Sequence, residues 1–92
     1  MLFMVIERYK NRDADAVYRR FRERGRMMPA GLEYLDSWVE PGYERCFQLM
    51  STDSAELFQE WIRHWDDLVD FEIVPVLTSK EASVRVDQQA AE

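Results

Sequence analysis

The sequence predicts an α+β sandwich in which two helices cover one face of a four-stranded antiparallel sheet. Three observations predict it. The periodicities along the chain run strand, helix, strand, strand, helix, strand. The first strand, Leu2-Phe3-Met4-Val5-Ile6, is apolar at both parities, as a central strand covered on both sides is. Pro75 falls inside the last strand, which confines that strand to a sheet edge. Together they give the split βαβ, ferredoxin-like order βαββαβ, with the strands arranged 4-1-3-2.

Each element has its own warrant. Strand 1 covers residues 2–9 and ends in Glu7, Arg8 and Tyr9. Asn11-Arg12-Asp13 supplies turn residues, and Asp13 or Asn11 can cap the helix that follows. Helix 1 runs from about Ala14 to Arg24 on the stripe Ala14, Val17, Tyr18, Phe21. Asp15 with Arg19, and Arg19 with Glu23, are spaced for ion pairs on its wet face. Gly25 is the stop. Met27-Met28 in the connector suggests a loop folded over something apolar. Strand 2, Leu32 to Glu40, and strand 3, about Tyr43 to Ser51, form a hairpin about Pro41-Gly42. Asp53-Ser54-Ala55-Glu56 resembles a capping box before helix 2, about Ser54 to Leu68, with the stripe Phe58, Trp61, Ile62, Trp65, Leu68. Strand 4 is about Phe71 to Leu77. A last helical turn starts near Ser79, in a domain spanning 1–86, and residues 87–92 read as a frayed tail.

Composition narrows the function classes. Ninety-two residues with three Trp, four Tyr and five Phe make one domain with a modest core. The net charge of −6 argues against nucleic acid as a partner. The charge is uneven: residues 8–26 hold eight basic residues against three acidic ones, a local +5 that leaves −11 elsewhere. One cysteine, Cys46, allows no internal disulfide and fits a reducing compartment. No apolar run approaches a membrane span of about 20 residues, so the expectation is a soluble, cytoplasmic protein without a membrane partner.

Two helices leave one sheet face open. Met4, Ile6, Leu35, Phe47, Leu49, Phe71 and Ile73 are assigned to the helix side. The open face then carries Phe3, Val5, Glu7, Tyr9, Tyr34, Trp38, Cys46, Gln48, Met50, Glu72, Val74 and Val76. That is too much apolar surface to leave wet. The expectation is a homodimer that packs two open faces together; the alternative is a monomer whose loop and tail fold over the face. Strand 2 has two registers, and the other one exchanges Tyr34, Asp36 and Trp38 with Leu35, Ser37 and Val39.

The segments MLFMVIERYKNRDADAVYRRFRERGRMMPAGLEYLDSWVE and RCFQLMSTDSAELFQEWIRHWDDLVDFEIVPVLTSKEA resemble a bacterial family of small proteins known only as a domain of unknown function. The resemblance covers about residues 1–83. It implies membership of the dimeric α/β-barrel superfamily, in which two ferredoxin-like sheets pair into a barrel. That superfamily holds cofactor-free monooxygenases, isomerases, haem-dependent enzymes and members without known activity, so it transfers no reaction.

The candidate ligand site is Glu7, Tyr34, Trp38, Gln48 and Glu72, in the barrel or the cleft between sheet and helices. Glu7 is the one catalytic candidate. A carboxylate between apolar walls has its pKa raised and can move protons. The plainer reading puts Glu7 and Glu72 at a solvated rim, and it is the favoured one. His64, the only histidine, falls between core positions Trp61 and Trp65 and reads as a surface residue. Cys46 reads as an inert buried thiol, and the arginines of helix 1 as a solvated face. No metal-ligand spacing and no phosphate loop occur, so no metal and no cofactor is expected. The function expected is small-ligand binding with cofactor-free monooxygenase- or isomerase-like chemistry. The alternative is a non-catalytic interaction module whose open face serves only dimerisation.

Overall fold

The structure is a computed structural model and describes residues 1–91. Its elements are β1 (Leu2–Tyr9), α1 (Ala14–Arg24), β2 (Glu33–Val39), β3 (Arg45–Ser51), α2 (Leu57–Ile62), β4 (Val69–Val76) and α3 (Ser79–Ala91). The sheet is antiparallel in the order β2-β3-β1-β4, with α1 and α2 packed on one side. This is the ferredoxin-like α+β fold, with β1 central and the proline-bearing β4 at an edge.

The helix ends follow local chemistry. Asp13 accepts the Ala16 amide at 3.1 Å and caps α1. Gly25, at φ 68°, closes it through a bond of 2.8 Å from its amide to the Phe21 carbonyl. The Asp15–Arg19 and Arg19–Glu23 pairs do not form among the described residues. Arg20 instead clamps Asp67 bidentately at 2.6 and 2.7 Å and donates to the His64 carbonyl at 2.9 Å. That ties α1 to the segment after α2 rather than decorating α1 alone.

The second helix is shorter than its stripe suggests. Regular helix is confined to Leu57–Ile62, with single turns before and after it. The expected cap at Asp53 does not form: α2 has no side-chain cap, and the Thr52 hydroxyl accepts the Ser54 amide at 3.0 Å in the turn before it. The tail expected at 87–92 is helical as far as Ala91, and Glu92 lies outside the described residues.

The assignment of sheet faces is corrected. Phe3, Val5, Glu7 and Tyr9 are buried toward the helices, with Cys46, Gln48 and Met50 beside them. Met4, Ile6, Phe47 and Leu49 lie on the open face. The reason is register. Directly opposed residues of an antiparallel pair share a face. Val5 is opposite Gln48 and Ile73, and Glu7 is opposite Cys46 and Phe71. Phe71 and Ile73 do pack against the helices, so they carry Glu7 and Val5 inward. Glu72 and Val74, opposite Ile6 and Met4, remain outside.

In β2 neither register holds throughout. A bulge between Tyr34 and Asp36 leaves Leu35 unpaired and 42% exposed. Tyr34, Ser37 and Val39 therefore share the helix side with Met50, Gln48 and Cys46. Asp36 and Trp38 face outward with Leu49 and Phe47.

The core is built where the aromatic stripe meets β1. Phe58, Trp61 and Trp65 pack on Phe3, Val5, Leu32 and Met50. The rings of Phe3 and Phe58 meet edge to face at 5.0 Å. Met27 and Met28 fold back against this cluster, as paired methionines in a loop suggest. The loop is pinned by two indoles. Trp61 Nε1 and Trp65 Nε1 both donate to the Arg26 carbonyl, at 2.9 and 3.0 Å. Gly31 sits at φ 95° with Leu57 Cδ1 only 3.0 Å from where a Cβ would be, so both backbone and space require glycine there.

Candidate functional site

The same inward turn that corrects the faces makes a site. A partly open cavity of about 120 Å³ lies between the sheet and α1. Its floor is Glu7 and Tyr9 from β1, Ser37 and Val39 from β2, and Cys46 and Gln48 from β3. Val17, Tyr18 and Phe21 of α1, together with Trp61 and Trp65, form apolar walls, and Arg26 completes the lining.

Glu7 and Gln48 are the polar centre. Glu7 is 6% exposed and Gln48 is 7% exposed. Gln48 Nε2 donates to Glu7 Oε1 at 2.6 Å. Gln48 Oε1 is buried and has no hydrogen-bond partner. Such an orphan is uncommon, since nearly all buried polar atoms are paired. Burial raises the Glu7 carboxyl above the usual carboxylate range, because it penalises the charged form. Hydrogen bonds from Gln48 and Cys46, and the positive charge of Arg26, oppose that shift without cancelling it.

Its neighbours are held neutral. Burial, reinforced by the Glu7 carboxylate, pushes the Cys46 thiol up to about 12. Burial also raises Tyr9. Neither is a nucleophile near neutral pH. Glu7 is the one carboxyl of the floor, and burial moves it up from the ordinary carboxylate range.

Of the residues expected at a ligand site, Glu7 and Gln48 come together. Tyr34 shares their side of the sheet without lining the cavity. Its hydroxyl shares a hydrogen bond of 2.6 Å with Ser37 Oγ, and its ring lies under Arg26, 3.6 Å from the guanidinium carbon. Trp38, 51% exposed, and Glu72 sit on the opposite face. His64 is exposed, beyond the end of α2. Sequence reasoning missed Arg26, Tyr18 and Phe21 as lining groups. The stripe of α1 could have signalled Tyr18 and Phe21. Arg26 reads only as a connector residue. Among the described residues no group of three or more His, Cys, Asp or Glu is placed to hold a metal ion. No helix among them is long and apolar enough to cross a membrane.

Fold and cavity define the class: a ferredoxin-like α+β protein with a buried acid–amide pair between sheet and helices. The chain belongs to the family described as Domain of unknown function (DUF3303), whose model matches residues 1–90. No curated protein and no solved structure matches it.

Proposed function

We propose that the cavity binds a small, partly apolar molecule and that Glu7 moves a proton on it. The chemistry is isomerase-like and uses no metal or cofactor. The observation that carries this is the orphaned Gln48 Oε1 beside the buried Glu7 carboxyl. An unpaired buried acceptor costs about 1–3 kcal/mol, which a ligand donor recovers. A closed cavity of about 150 Å³ holds benzene; this one is smaller, about 120 Å³, but partly open, so a single ring fits with one end extending through the opening. A carboxyl in dry surroundings, with its pKa raised by burial, is a stronger base than an exposed one and suits proton transfer next to a carbonyl. It removes a proton from one carbon and returns it to another, with no net change of atoms or electrons. A cofactor-free monooxygenase reaction would begin with the same abstraction and needs dioxygen as a second reactant; the isomerase reading needs only what lines the cavity.

The test uses 3-cyclohexenone in D₂O, followed by NMR. Deuterium exchange at the carbon between carbonyl and alkene should exceed the buffer rate and fall to that rate in Glu7→Gln. Exchange that survives Glu7→Gln removes Glu7 from the reaction.

We also propose that the open face pairs with a second copy of the chain, whether or not the cavity is catalytic. Met4, Ile6, Trp38, Phe47, Leu49 and Val74 make that face apolar. Four strands about 4.8 Å apart, each rising about 3.3 Å per residue, present roughly 450 Å² in projection. A stable interface takes about 800 Å² per partner. Leu77, Val84 and Val86, on and beside α3, are exposed as well, and on this reading α3 supplies the remainder. A non-catalytic module would keep this interface and leave the cavity empty of ligand.

A further inference from the structure

We propose that the cavity selects a planar, single-ring carboxylate that also carries a hydroxyl, with Arg26 recognising the negative charge; this rests on the cavity being a ligand site. Four observations point to Arg26. First, it lines the cavity. Second, it is positioned on both sides of its Cα. Its carbonyl takes the two indole N–H groups at 2.9 and 3.0 Å. Its guanidinium carbon lies 3.6 Å from the centre of the Tyr34 ring and 5.0 Å from that of Phe21. Stacking occupies the faces of a guanidinium and leaves the N–H donors along its edge free.

Third, Arg26 makes no ion pair within 4.0 Å among the described residues, and it is half-buried, whereas the other basic residues that lack one, such as Arg19, Arg22 and Arg24, are exposed. A preorganised, unpaired guanidinium is suited to a carboxylate, which it can hold through two parallel hydrogen bonds. Fourth, the cavity wall from α1 belongs to the basic stretch 8–26, with its local excess of +5 in a chain of net charge −6. Such a local field favours entry of anions despite the sign of the whole.

The rest of the lining completes the class. The ring packs among Tyr18, Phe21, Trp61 and Trp65. Gln48 Oε1 accepts the hydroxyl. The ligand is therefore charged at one point, flat in the middle and a hydrogen-bond donor at another.

The test compares 4-hydroxybenzoate with 4-hydroxybenzamide, which share shape and differ in charge. Dissociation constants are measured by ligand-observed NMR on the full chain and on Arg26→Met and Arg26→Lys. Circular dichroism melts check that both variants fold. The native protein should bind the carboxylate at least tenfold tighter than the amide. Arg26→Met should erase that preference, while Arg26→Lys should keep part of it. Equal binding of both probes overturns the anion preference and leaves the cavity as a ligand site. A preference that survives Arg26→Met overturns the role of Arg26. Failure of both probes to bind the native protein overturns the proposal together with the reading on which it rests.

Discussion

Glu7→Gln replaces a buried carboxyl with a neutral group of the same shape, and its effect on stability should depend on pH. The Gln48 amide that donates to Oε1 at 2.6 Å keeps a carbonyl oxygen to donate to. What changes is the ability to ionise. The folded-state pKa of Glu7 is raised from 4.5, chiefly because burial penalises the charge. Below that value Glu7 is protonated in both states and contributes no slope. As pH rises above it, the unfolded chain releases the proton while the folded chain keeps it. Folding stability therefore falls with pH through this window and levels off above the folded-state pKa. One proton of difference is worth about 1.4 kcal/mol per pH unit. For a domain of this size 1 kcal/mol moves Tm by about 4–8 °C, so the slope is roughly 6–11 °C per unit. The pairs Glu40–Arg45 and Asp67–Arg20 have lowered carboxyl pKa values and act in the opposite direction, at lower pH. They are the same in both proteins and drop out of the difference. Melting curves of native protein and variant from pH 4 to pH 9 should therefore diverge, with Glu7→Gln gaining on the native protein as pH rises. Parallel curves would refute the burial of an ionisable Glu7.

Three further outcomes follow from the packing. Gly31→Ala should cost about 2 kcal/mol, since alanine is strained at positive φ and its Cβ would meet Leu57 Cδ1 at 3.0 Å; a urea melt reads this. Cys46, with its thiol pushed up to about 12, should resist a thiol-modifying disulfide reagent in the native state and react fully in guanidinium, whereas fast native labelling would contradict its burial. Sedimentation should give twice the mass of 11.0 kDa for the native chain, and Trp38→Arg on the open face should shift it toward one; a native monomer ends the pairing proposal.

Element order and strand order were legible because each rests on local signals. The strands, Gly25, Asp13 and Pro75 declare themselves within a few residues. The direction of the sheet was not. β1 is apolar at both parities, so alternation carries no sign, and a carboxylate in such a strand reads naturally as a mark of its wet side. Here Glu7 marks the cavity instead. Its inward direction comes from long-range pairing with Phe71, which no local pattern states. The bulge at Leu35 hid β2 in the same way, since one unpaired residue reverses every side chain beyond it. Glu7 and Gln48 were found as a pair because residues opposed or diagonal across two strands meet in either orientation. Glu72 and Trp38 were lost from the group because they depended on it. Arg26 was invisible. Its position is fixed by indoles 35 and 39 residues away, and by a tyrosine that only the bulge turns inward.

The central claim is that the cavity at Glu7 and Gln48 takes a small ring bearing a hydrogen-bond donor. Phenol is the simplest such molecule and does not depend on the charge of Arg26. It should be titrated into ¹⁵N-labelled protein while the side-chain amide of Gln48 and the indole N–H signals of Trp61 and Trp65 are followed. Saturable shifts of all three, with one dissociation constant, are the predicted result. No shift at the Gln48 amide, with changes confined to exposed residues such as Trp38, would contradict it.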